Sequence, residues 1–89
     1  MVASDTGKVV HVHSTTTTVV VPNSVFSVGN VVTILNGGGS NVTITQGSGL
    51  SLRNTADGSQ GNRTLASFGM ATIYFSGASV GYISGSNMT

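Results

Sequence analysis

Val31-Val32-Thr33-Ile34-Leu35-Asn36-Gly37-Gly38-Gly39-Ser40-Asn41-Val42-Thr43-Ile44-Thr45-Gln46 decides the fold. Val42 and Ile44 alternate with Thr43 and Thr45, and the apolar run before the glycines is β-branched, which is strand chemistry. Three consecutive glycines permit positive φ and predict an exposed, mobile tip, so the stretch reads as a β-hairpin.

The same pattern extends in both directions. Upstream, Val9 to His13 alternates between a face carrying Val10 and Val12 and a face carrying Val9, His11 and His13. The Thr tract Ser14 to Thr18 leads to Val19-Val20-Val21, which Pro22-Asn23 stops. These two runs predict either a bent hairpin or one bulged strand. Downstream, Gly47-Ser48-Gly49 turns the chain into Leu50 to Arg53, with Leu50 and Leu52 inward and Ser51 and Arg53 outward. Asn54 to Asn62 has no apolar periodicity and reads as the longest loop. Met70 to Phe75, a turn at Ser76 to Ser79 and Val80 to Ile83 predict a closing hairpin, with Gly85 to Thr89 fraying. Helix formers are scarce. The expected fold is all-β: one small antiparallel β-sandwich or barrel-like domain of about six to eight short strands, with flexible ends at 1–7 and 85–89.

Composition narrows function. The chain of 89 residues has no Cys, three Lys or Arg and two Asp or Glu, against a usual charged share of about 25%. No thiolate chemistry, disulfide framework or Cys-based metal site is possible. Five aromatics are not interleaved with Lys or Arg, and no basic stripe exists to neutralise phosphates, so nucleic acid is not an expected partner. No signal-peptide pattern and no apolar run of about 20 residues occurs, so no membrane partner is expected either. A thin core without a staple leaves oligomerisation as the expected source of extra stability.

No catalytic residues are expected. Ser, His and Asp can always be combined on paper, but no Gly-x-Ser-x-Gly elbow occurs, and the acids Asp5 and Asp57 lie in a terminal segment and a loop. No cofactor is expected. The matches to the glycosylation sequon at Asn41, Asn62 and Asn87 follow from the abundance of Asn and Thr. Expected interface residues are Val10, Val12, Val19 and Val21 on strand faces. Arg53 and Arg63, which flank the long loop, would meet Asp57 or carboxylates of a partner.

The order of motifs is also suggestive: Pro22-Asn23, Phe26-Ser27-Val28-Gly29, an apolar strand, Gly37-Gly38-Gly39, Val42-Thr43-Ile44, Gly47-Ser48-Gly49-Leu50-Ser51-Leu52-Arg53, then Ala71-Thr72-Ile73-Tyr74. From about Val9 to Ile83 it resembles the short Gly-rich β modules of tailed-phage virion proteins, found in tail fibres and in small head decoration or cement proteins. The resemblance implies a structural role. A single module suggests a capsid decoration protein made in the host cytoplasm, a homotrimer on the head surface bridging subunits of the major capsid protein. The alternative is a tail-fibre or tail-tip module whose exposed Tyr74 or Tyr82 and Asn-rich loops bind a host glycan. In such a trimer, His11 and His13, at i and i+2 of one strand, would converge as metal ligands at the axis. Without a trimer they are two solvent-facing imidazoles.

Overall fold

In a computed structural model, residues 7–12, 18–55 and 58–89 are described. They form seven strands: β1 (Val9–Val12), β2 (Thr18–Val21), β3 (Val31–Asn36), β4 (Val42–Gln46), β5 (Ser51–Asn54), β6 (Arg63–Gly77) and β7 (Val80–Met88). All seven belong to one curled sheet, a half-barrel closed over an apolar core, so the all-β, barrel-like expectation holds.

The sheet is mixed rather than antiparallel. β6 pairs antiparallel with β3, β4 and β7, whereas β1–β3, β2–β4 and β5–β7 are parallel. The predicted hairpin at 31–46 does not form. Val31 to Leu35 lie opposite Tyr74 to Met70, and Val42 to Ile44 opposite Leu65 to Arg63. β3 and β4 therefore run in the same direction, one after the other, along β6. Alternation in the sequence identifies strands but not the direction of the next strand, and here Gly37–Asn41 steps the chain sideways without reversing it. β1 and β2 lie beside β3 and β4 in the same way, Val9 opposite Thr33 and Thr18 opposite Thr43, and run in one direction, so they are two strands and not a hairpin; residues 13–17 between them lie outside the described residues.

Asn36 holds the step. It is fully buried, and its Nδ2 donates to the carbonyls of Ser40 (2.8 Å), Leu65 (3.0 Å) and Ala66 (3.2 Å). Its Oδ1 accepts the Gly38 amide at 3.0 Å, and Ser67 Oγ donates to Gly38 O at 2.5 Å. Gly38 is buried, and positive φ among glycines falls at Gly7, Gly29, Gly49, Gly58 and Gly61 instead. The Gly-rich segment is thus fastened and not a mobile tip. Opposite it, β6 bulges: between the pairs Leu65–Met88 and Met70–Ser86 its register shifts, and Phe68 adopts φ 62°.

Every strand contributes its inward residues to the core: Val12, Val19, Val21, Val32, Ile34, Val42, Ile44, Leu52, Leu65, Ala71, Ile73, Phe75 and Ile83, joined by Leu50 and Phe26 from the loops. The closing hairpin forms as predicted, with a turn at 78–79. Its last residues do not fray: Met88 pairs with Leu65, and Thr89 exchanges two backbone hydrogen bonds with Thr64, at 2.8 and 2.9 Å.

Candidate functional site

The expected interface valines are largely core. Val12, Val19 and Val21 are buried within the chain's own sheet, so they offer nothing to a partner, and Val10 is half-buried against the same core. The physical reason is the curl: parallel pairing of β1 and β2 with β3 and β4 turns their valines inward. Arg53 and Arg63 serve their own loop. Arg53 Nη1 donates to Gly58 O (3.2 Å), while Arg63 donates from Nε to Asn62 O (2.8 Å) and from Nη1 to Ser59 Oγ (3.3 Å). Asp57 lies outside the described residues.

His11 is exposed on β1, and its imidazole lies over Gly37, where a Cβ would collide with Nε2. His13 lies outside the described residues. Among the described residues no three His, Cys, Asp or Glu side chains group in the manner of a metal site.

A different surface emerges on the convex side. Because side chains alternate across a sheet, the outward residues of β1, β3, β6, β7 and β5 line up in register. One row runs Val31–Tyr74–Tyr82–Arg53, the next Val9–Thr33–Thr72–Ser84, and the third His11–Leu35–Met70–Ser86. Tyr74 and Tyr82 face each other directly across β6 and β7, 46% and 38% exposed, and Met70 is 45% exposed. The middle row is a hydroxyl ladder in which Thr33 Oγ1 and Thr72 Oγ1 are 3.4 Å apart. From Thr64 to Thr89 the sequence has no charged side chain, so the two longest strands present none to solvent after Arg63.

At the bulged end of β6 stands Phe68, 75% exposed at φ 62°. A bulky aromatic in the left-handed region is uncommon and strained, and such strain concentrates at functional surfaces. Tyr74 and Tyr82 were legible as exposed aromatics from their alternation with Ile73, Phe75 and Ile83. Phe68 falls on the same outward parity as Met70, Thr72 and Tyr74, so its exposure follows the alternation of β6, while its left-handed φ belongs to the bulge and has no signal in the sequence. Compared with protein-family models, with curated proteins and with solved structures, the chain matches none.

Proposed function

We propose that this chain is a non-catalytic structural component of a tailed-phage virion, a decoration protein on the head that bridges neighbouring subunits of the major capsid protein. The observation that carries this reading is the convex face, three in-register rows rich in Tyr, Met, Val, Thr and Ser. Interfaces are enriched in aromatics, Met and Arg and depleted in Lys, Glu and Asp, and the rows hold Tyr74, Tyr82, Met70 and Arg53 with no Lys, Glu or Asp. One permanent charge, Arg53, stands among the twelve positions, and exposed apolar side chains gathered on one face, here Val9, Val31, Met70, Tyr74 and Tyr82, mark a contact site. The motif order, which resembles that of Gly-rich virion modules, supplies the context.

A second reading has an observation of its own. Tyr74 beside Tyr82, with Arg53 next in the same row, is an aromatic platform on which a sugar ring could stack, as a tail-tip module binding a host glycan requires. Co-sedimentation of the purified protein with empty heads separates the two. Saturable binding to heads supports decoration. Failure to bind heads, together with retention on host-surface glycans, overturns it in favour of the tail-tip reading.

A further inference from the structure

We infer that the convex face docks a second copy of this chain, face to face about a twofold axis, with Tyr74 and Tyr82 inside the contact. This rests on reading that face as an assembly surface, and it names the partner. The first argument is area. Twelve positions make up the three rows, and at about 4.8 by 6.8 Å of sheet each they cover a flat footprint of about 400 Å². With the exposed Tyr74, Tyr82 and Met70 side chains standing from it, that footprint is within a factor of about two of the roughly 800 Å² per partner that a standard interface buries. Phe68 extends it at one end.

The second argument is self-complementarity. In a twofold contact each patch meets itself, so a charged patch would repel its copy. Here Thr33, Leu35, Thr72, Tyr74, Tyr82, Ser84 and Met70 are all neutral, and the one permanent charge, Arg53, sits at the end of its row. Hydroxyls of the Thr and Ser row act both as donors and as acceptors, so they can pair with their own kind. The third argument concerns symmetry. A threefold ring needs two different complementary surfaces on each chain, whereas one patch that matches itself closes as a dimer.

The test is light scattering behind size-exclusion chromatography on the full chain, across a concentration series, with Tyr74→Arg and Val20→Arg as paired variants. Both positions are about half exposed, so circular dichroism should show both variants folded. The expected result is a species of twice the 8.9 kDa chain mass that dissociates on dilution. Tyr74→Arg should weaken it by about thirtyfold or more, as loss of an aromatic anchor does, and Val20→Arg, on the β2 edge, should leave it intact. A monomer at every concentration, a three-copy mass, or a dimer broken by Val20→Arg and not by Tyr74→Arg would overturn the inference. A monomer that still binds heads through Tyr74 overturns the twofold pairing but leaves the virion reading standing. A dimer that ignores heads does the reverse.

Discussion

The side-chain amide of Asn36 donates to the main-chain carbonyl of Leu65 at 3.0 Å, joining the end of β3 to the bulge of β6 inside the core. The same amide reaches Ser40 O and Ala66 O, and its oxygen takes the Gly38 amide. One buried side chain therefore satisfies the backbone groups that the interruption of β3 and the bulge of β6 free from the ladder. Asn36→Leu keeps the branched outline, with bulkier methyl groups, and removes every one of these bonds. Because unsatisfied buried groups cost about 1–3 kcal/mol each and several share the loss, we expect a net destabilisation of roughly 3 kcal/mol. Urea denaturation should show a lowered midpoint with an unchanged slope, and a shift smaller than that of an ordinary surface substitution would refute the clamp.

Two glycines of the closing hairpin should behave oppositely. A Cβ at Gly85 would collide with Met70 O and lie 2.8 Å from Ala71 Cα, backbone that cannot swing aside, whereas a Cβ at Gly77 meets nothing within 4 Å. Gly85→Ala is expected to cost about 2–3 kcal/mol through forced backbone shifts. Gly77→Ala should be neutral or stabilise by about 0.5 kcal/mol, since it restricts the unfolded chain. Thermal midpoints of the two single variants, measured side by side, decide the matter.

Strand content was legible because Val42–Thr45 alternates with a period of two and Val31–Leu35 and Met70–Phe75 are apolar runs bounded by turn residues, and every one of these runs is a strand. Direction was not legible. The Gly37–Gly39 run offers the conformations of a reversal, but the inward turn of Asn36 and its bonds to a partner 29 residues away decide against one. No local pattern encodes that contact. The interface valines failed for a related reason. Val12, Val19 and Val21 have the same alternation whether a strand face packs on its own sheet or on a neighbour, and only the parallel pairing of β1 and β2 places them inside. The rows of the convex face depend on registers across five strands and were visible only in part, through Tyr74 and Tyr82.

Phe68 should be more valuable to a partner than to its own fold. Its ring is 75% exposed, and its φ of 62° carries the penalty of the left-handed region, about 1–2 kcal/mol for a residue with a Cβ. Phe68→Gly relieves that strain at the expense of some chain entropy, so a net gain of about 0.5 kcal/mol is expected. Phe68→Val, β-branched and worse at this φ, should lose stability. The order Gly above Phe above Val in thermal midpoint is the expected outcome. A large loss in Phe68→Gly would show instead that the ring supports the fold.

The segment between β2 and β3 is fastened by one aromatic stack. The Phe26 and Phe75 rings lie with centroids 4.5 Å apart and planes inclined by 23°, and Phe26 is 2% exposed although it belongs to a loop. Around it the loop makes backbone bonds from Ser24 N to Ala78 O and from Gly29 N to Phe75 O, while Phe75 N donates back to Asn30 O. Gly81 leaves room for the stack: a Cβ there would sit 3.5 Å from Phe75 Cε1 and 3.1 Å from Ile73 Cγ2. Phe26→Ala should cost about 3–4 kcal/mol, the usual result of emptying a large core site, whereas Phe26→Leu should cost about 1 kcal/mol. Combining Phe26→Leu with Phe75→Leu in a double-mutant cycle should yield a coupling of about 1 kcal/mol, the share owed to the ring pair beyond area burial. Hydrogen exchange localises the effect. In Phe26→Ala the amides of Ser24, Gly29 and Phe75 should lose protection ahead of the β3–β6 amides, because the loop opens before the sheet does. Equal loss at Thr33 or Ile73 would mean that Phe26 holds the whole core and not the loop alone.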